Sequence, residues 1–321
     1  MNIITIILFI VGFYILIKGA DMLVEGSSTF GRRLGMSEIV IGLTIVAFGT
    51  SAPELFVNIL SATQGSTDLA LGNILGSNIA NILLILGVGA LVYPLTVKRS
   101  TVLKEIPFAL LAAIMVTALA VDYWMSPTNS ISLNDGFILL GFFAIYMYSL
   151  VSQTKSAPAS EEDAAAAPEK EISDLRALAW IIIGLTGLIL GGKWIVDGAT
   201  AIAQSFHVSE RIIGLTIVAI GTSLPELATT VVAARKKKGD LIIGNVIGSN
   251  IFNTLWILGI TSVIHPIAIP TESTWSFIVN IAATALVLII LGVDYKKHII
   301  RRWHGLLFLV LYVITLYLAI Q

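Results

Sequence analysis

Residues 42–54 read GLTIVAFGTSAPE, and residues 214–226 read GLTIVAIGTSLPE. Eleven of the thirteen positions are identical, at an offset of 172. The offset holds without a gap in both directions. LALGNILGSNIAN at 69–81 aligns with LIIGNVIGSNIFN at 241–253, and Pro94 aligns with Pro266. Upstream, Gly19 aligns with Gly191 and Glu25 with Asp197. A self-match sustained over this length marks a chain built from two homologous halves.

The quoted stretches lie in apolar surroundings, and composition says what kind. Of the 321 residues, 56% are hydrophobic and only 12% are charged. A soluble domain carries about 25% charged residues, so this chain needs lipid as a solvent. It is expected to be an all-α polytopic membrane protein. The net charge of −1 leaves no nucleic-acid footprint, and the absence of cysteine removes disulfides, thiolate metal sites and cysteine nucleophiles. Met1 to Val24 lacks the positive region and small-residue cleavage site of a signal, so it reads as a retained helix.

A spanning helix takes about 20 apolar residues. Ten candidates follow, near 3–24, 38–62, 70–93, 103–121, 136–151, 176–197, 211–234, 240–264, 274–293 and 303–320. Residues 152–175 contain Pro158, Pro168, four consecutive alanines from Ala164 and six acidic residues, which reads as a polar linker. The expected organisation is a five-helix repeat over 1–151, the linker over 152–175 and a second five-helix repeat over 176–321. An odd number of spans per half makes the second half enter the membrane from the opposite side, giving two inverted repeats.

Basic residues fix the orientation. With the N-terminus outside, sixteen of the 19 Lys and Arg fall on inward loops, in five groups that begin at Arg32, Lys98, Lys155, Arg235 and Lys296. Arg211 alone falls outward, while Lys18 and Lys193 lie near helix ends where they can snorkel. That asymmetry predicts both termini outside and the linker cytoplasmic, in a multi-pass protein of the cell (inner) membrane. Arg235 to Lys238 is read as a topology determinant, and Asp21, Glu25 and Asp197 as interfacial.

Pro53 and Pro225 interrupt apolar helices. Each removes a backbone donor and clashes with the carbonyl four residues back, at Gly49 and Gly221. The Ala47 and Ala219 carbonyls are expected to lose their normal partners if the helix bends. Such backbone at membrane depth lines a water-filled cavity or is buried in protein. Glu54 and Glu226 stand beside the prolines. A carboxylate at the bilayer centre costs about 2.5–3.5 kcal/mol on insertion scales, and two related by a repeat require a reason. Facing each other they repel, unless protons, Na⁺ ions or a divalent cation balance them. Two mutually exclusive ways of being neutral are what an exchanger needs. Ser77 and Asn81 share a helix face, extended by Asn73, and Ser249, Asn253 and Asn245 repeat it. Ser77, Asn81, Ser249 and Asn253 are read as cation contacts, and Asn78 and Asn250 as interhelical glue. Gly72 and Gly76 form a small-xxx-small pattern that permits close helix contact.

The doubled GTSxPE segment followed by GNxxGSNxxN resembles the alpha-repeats of sodium/calcium exchangers, in the calcium/cation antiporter superfamily. The resemblance covers the whole chain. It implies the inverted five-plus-five fold, alternating access to one central cluster of Na⁺ and Ca²⁺ sites, and no cofactor beyond the transported ions. By position it places cation ligands at Thr50, Ser51, Glu54, Ser77 and Asn81, and at Thr222, Ser223, Glu226, Ser249 and Asn253, with backbone carbonyls at Ala47 and Ala219. Some members, including potassium-dependent ones, have Asp where this chain has Asn253, which argues against potassium coupling here. Cation/proton exchangers of the superfamily carry a GNxxE pattern instead, which favours Na⁺ coupling; Ca²⁺/H⁺ or other cation exchange on the same scaffold is the alternative. The linker is too short for the calcium-sensing domain of many eukaryotic members. An intramembrane hydrolase would need a nucleophile–base pair, paired Asp or a His-bearing metal motif, and His207, His265, His298 and His304 all lie near loops. A channel would use a similar cavity, but inverted halves with a neutralisable site suit alternating access better.

Overall fold

Helices that are apolar on every face need lipid or protein on every side, and the computed structural model is built almost wholly from such helices. It describes residues 3–121, 129–156, 173–206, 219–270, 273–293 and 297–320. In chain order these form α1 (Ile3–Arg33), α2 (Glu38–Thr50), α3 (Ala52–Thr63), α4 (Thr67–Val92) and α5 (Arg99–Ala120). There follow α6 (Leu133–Ser156), α7 (Asp174–Ser205), α8 (Ala219–Thr222), α9 (Leu224–Arg235), α10 (Gly239–Ile264), α11 (Thr274–Val293) and α12 (Arg302–Ile320). Among the described residues, eight helices are long and apolar enough to cross a membrane, and α2 with α3 form a ninth candidate bent by 46°. The fold is all-α and polytopic. Part of the expected span 211–234 falls on 207–218, outside the described residues, as does most of the linker.

α4 and α10 form the buried centre. The outer helices turn large apolar side chains outward, among them Ile10 and Tyr14 on α1, Ile182 and Ile183 on α7, and Val313 and Tyr317 on α12. Exposed apolar surface of that extent is a lipid-facing surface. α1 continues nine residues past the expected end at Val24, and α7 runs on to Ser205. Loss of hydrophobicity does not by itself end a helix, so both run on past their most apolar stretches.

α1 and α7 pack along a line of glycines spaced by seven residues. A methyl group on Gly19 would stand 2.7 Å from the Gly184 carbonyl oxygen, and one on Gly184 would stand 2.7 Å from that of Gly19. Gly12 and Gly191 face each other in the same way, at 3.0 and 2.8 Å. Later residues of α1 meet earlier residues of α7, so the two helices run antiparallel. Two short antiparallel ladders also join the halves. β1 (Leu95–Thr96) pairs with β4 (Ile299–Ile300), and β2 (Ser130–Ile131) pairs with β3 (Ile267–Ala268). The Val97 amide extends the first through the His298 carbonyl at 2.9 Å, and the Ile269 amide extends the second through that of Asn129 at 3.0 Å.

Basic residues at the C-terminal end of α1 and in the α9–α10 turn are tied by ion pairs. Lys236 binds Asp21 at 2.6 Å and Glu25 at 3.2 Å, while Lys238 binds Glu38 at 3.5 Å. Burial pulls the Lys238 ammonium below its ordinary pKa, and Glu38 opposes that shift. In α7, at positions equivalent to Asp21 and Glu25, Lys193 instead pairs with Asp197 of the same helix at 2.6 Å.

Candidate functional site

Each GTSxPE segment makes one sharp turn at its serine. α2 ends at Thr50, Ser51 has φ −81° and ψ 5°, and α3 starts at Ala52. α8 ends at Thr222, Ser223 has φ −87° and ψ 3°, and α9 starts at Leu224. Pro53 and Pro225 are second residues of the new helices, where the missing amide would have had no intrahelical partner. Glu54 and Glu226 follow in the first turn, at the positive end of the helix dipole, which favours a negative charge.

The helix break leaves the Ala47 carbonyl differently placed than expected. It accepts the Ser51 amide at 3.0 Å, because α2 stays helical through Thr50 and the bend comes one residue later. The same oxygen lies 3.4 Å from Thr50 Oγ1. In the second half the Ser223 amide bonds the Ile220 carbonyl at 3.1 Å, three residues back. Ala219 is the first described residue of α8. The close contact expected of the α4 glycines is seen at their copies on α10. A methyl at Gly72 or Gly76 would meet nothing within 4 Å among the described residues, whereas Gly244 and Gly248 lie against the α2 backbone. The segment 214–218, equivalent to the stretch of α2 that packs there, lies outside the described residues.

The structure brings the polar side chains of the two halves together in the protein interior. Ser51 Oγ donates to Glu226 Oε1 at 3.2 Å, and Ser77 Oγ donates to Glu54 Oε1 at 3.1 Å. Ser223 Oγ is 3.5 Å from Ser77 Oγ. Thr50 Oγ1 lies 3.2 Å from Asn245 Oδ1, and Thr222 Oγ1 lies 3.4 Å from Asn73 Oδ1. Asn81 and Asn253 each occupy the second residue of a π-helical turn, Ala80–Ile85 and Phe252–Ile257. Such widened turns recur at functional sites. Asn81 Nδ2 donates to Asn250 Oδ1 at 3.0 Å, and Asn253 Nδ2 donates to Asn78 Oδ1 at 3.1 Å. Asn78 and Asn250 thus behave as interhelical glue, and they fix which end of Asn81 and Asn253 stays open.

What remains open is a set of acceptors. Glu54 Oε2, Glu226 Oε2, Asn81 Oδ1 and Asn253 Oδ1 are buried with no hydrogen-bond partner among the described residues, and so is Ser249 Oγ. Glu54, Glu226, Asn81 and Asn253 are at most 1% exposed. An unfilled buried acceptor costs about 1–3 kcal/mol, and four of them form two pairs related by the 172-residue offset. Among the described residues no three His, Cys, Asp or Glu side chains gather. Hydroxyl, amide and paired carboxylate oxygens are the donor set of hard cations.

Sequence reasoning assigned no role to Asn58. Its Nδ2 donates to the Glu54 carbonyl at 2.8 Å, a link that the four-residue spacing on one helix face would have exposed. The π-helical turns had no visible signal. A cavity of about 650 Å³ opens between α3, α7 and the α8–α9 turn, bounded by Pro53, Phe56, Gly192, Thr222 and Pro225, and so reaches both breaks.

A family model described as sodium/calcium exchanger protein matches residues 4–151 and 176–321. The putative antiporter CaxA of Alkalimonas amylolytica is 38% identical over 310 residues, covering 95% of each chain. The sodium/calcium exchanger MaX1 of Methanosarcina acetivorans is 30% identical over 338 aligned positions, covering 96% of each. The structure of the sodium-calcium exchanger NCX_Mj soaked with Na⁺ and Sr²⁺ superposes with a TM-score of 0.83 at 32% identity, over 99% of each chain. With its family model matched across both halves, this chain belongs to the sodium/calcium exchanger family.

Proposed function

We propose that the chain is a secondary antiporter that exchanges Na⁺ for Ca²⁺ by alternating access and drives Ca²⁺ out of the cell on the Na⁺ gradient. The observation that carries this reading is the buried quartet of oxygens on Glu54, Glu226, Asn81 and Asn253 that have no partner among the described residues. Two carboxylates in that chamber are balanced by one divalent cation or by several monovalent ones. Ala47, Thr50, Ser51, Glu54, Ser77 and Asn81, with Ala219, Thr222, Ser223, Glu226, Ser249 and Asn253, hold the ions, which are the transported substrates.

In this reading the chain has ten spans, as five-helix halves over 1–151 and 176–321 in inverted orientation, with 152–175 as a cytoplasmic linker and both termini outside. The antiparallel α1–α7 seam supports the inversion. Gly12 contacts the copy of Gly19, and Gly19 contacts the copy of Gly12, as a two-fold relation in the membrane plane requires. The strand ladders have the same reciprocal relation. The inward position of the linker follows from the basic residues.

Proton coupling is the competing reading, since protons also neutralise paired carboxylates. Purified protein in sealed vesicles separates the two. Na⁺-loaded vesicles diluted into Na⁺-free medium take up ⁴⁵Ca²⁺, and a pH gradient alone drives none. Equal uptake on a pH gradient without Na⁺ would replace the Na⁺-coupled reading with the proton-coupled one.

A further inference from the structure

Thr50 carries one hydroxyl hydrogen, faces the Glu226 carboxylate and lies within hydrogen-bond distance of three further acceptors. They are the Val46 carbonyl at 3.0 Å, the Ala47 carbonyl at 3.4 Å and Asn245 Oδ1 at 3.2 Å. One hydrogen cannot serve all three. Asn245 is 1% exposed, and its Nδ2 finds no acceptor among the described residues. Two amide hydrogens are thus idle beside an oversubscribed hydroxyl. The two ends of a terminal amide have nearly the same shape, and hydrogen bonding decides between its orientations. With Nδ2 turned toward Thr50, the amide donates to Oγ1 and the hydroxyl donates to Val46. The hydroxyl hydrogen and one amide hydrogen then each have an acceptor.

The amide–hydroxyl contact recurs at the copy. Asn73 Oδ1 lies 3.4 Å from Thr222 Oγ1, and Asn73 Nδ2 has no partner among the described residues. Thr50–Asn245 and Thr222–Asn73 are exchanged by the 172-residue offset, and each crosses between the halves.

We propose that Asn245 and Asn73 are positioning residues of the cation site, which set the polarity of the Thr50 and Thr222 hydroxyls. This rests on the ion-exchange reading above. A hydroxyl whose hydrogen is held by a backbone carbonyl, and one of whose lone pairs holds the amide, offers its remaining lone pair as an acceptor. A cation requires that polarity. Without the amide, the Thr50 hydrogen is free to turn to the neighbouring Glu226 carboxylate, and the hydroxyl then competes with the cation for the same charge. In the satisfied orientation each Asn Oδ1 takes the partnerless place, where an amide oxygen is open to water or a cation.

A double-mutant cycle on ⁴⁵Ca²⁺ binding to the purified protein, with Na⁺ as competitor, tests this. Asn245→Ala weakens Ca²⁺ binding about tenfold, the equivalent of one lost hydrogen bond to the site. In the Thr50→Ala background the same change adds no further loss, because the amide then has no hydroxyl to orient. Additive losses, or Ca²⁺ affinity unchanged in Asn245→Ala, overturn the proposal. The cycle of Asn73→Ala with Thr222→Ala reads the copy independently and decides the matter where an Asn245 variant fails to give a monodisperse protein. Wild-type protein that binds neither ion and shows no flux removes the exchange reading itself, a result distinct from additive losses in a protein that binds both.

Discussion

The Ser51 hydroxyl donates to Glu226 in the other half at 3.2 Å, while its copy Ser223 reaches Ser77, 3.5 Å away, and no carboxylate among the described residues. The two turns are alike in backbone and unlike in wiring. A bond to an ionised group contributes about 1.5–3 kcal/mol, against about 1 kcal/mol between neutral groups. Ser51→Ala should therefore lower thermal stability in cation-free buffer more than Ser223→Ala does. Equal shifts in the unfolding temperatures of the two variants would show that the Ser51–Glu226 bond has no special weight.

Glu54→Ala or Glu226→Ala should abolish Na⁺-driven ⁴⁵Ca²⁺ uptake while the protein still inserts. Each removes half of the site's charge and one of four open acceptors. Normal exchange by either variant would take that carboxylate out of the site.

Asn253 donates through Nδ2 to Asn78 Oδ1 at 3.1 Å. In Asn253→Asp an ionised carboxyl would set oxygen against oxygen there, and a protonated one keeps the bond. The variant should bind Ca²⁺ with a steeper pH dependence than the wild type, measured as ⁴⁵Ca²⁺ affinity across a pH series. Parallel pH profiles would mean that the introduced group does not titrate in the site.

Gly19→Ala should destabilise the protein by about 1–3 kcal/mol, the usual cost of overpacking. The added methyl meets backbone atoms at 2.7 and 2.9 Å, which cannot swing aside. Gly141→Ala on α6 is the matched control, since a methyl there meets nothing within 4 Å. Thermal unfolding of the two variants in the same detergent makes the comparison, and an equal response would deny the seam its close packing.

Much of this was legible in the residues. Lipid demands long apolar runs, so the helices announced themselves, and the doubled GTSxPE segment marked the stretch in which each helix breaks. The structure gathers Thr50, Ser51, Ser77, Thr222 and Ser223 around Glu54 and Glu226. Hydropathy did not reveal the ends of α1 and α7, because a helix that leaves the membrane keeps its own hydrogen bonds. Nor did it reveal the widened turns at Asn81 and Asn253, which depend on how neighbouring helices divide the polar groups among them. The Ala47 carbonyl was misread for a related reason. Proline shows that a helix breaks, but the residue that absorbs the bend, here Ser51, is chosen by packing. The pairing of Thr50 with Asn245 across the halves was invisible to any reading that kept to one helix face.

The glycine seam between α1 and α7 has a consequence for the history of the chain. Once two copies of an ancestral helix lie backbone against backbone, neither copy is free to drift at its crossing points. A larger side chain at Gly12 collides with Gly191, and one at Gly184 collides with Gly19. Surface positions of the halves can diverge separately after a duplication, as Glu25 and Asp197 or Asp21 and Lys193 have done. At the seam, each half is the environment of the other, so a change in one copy there is felt at once by the backbone of its twin.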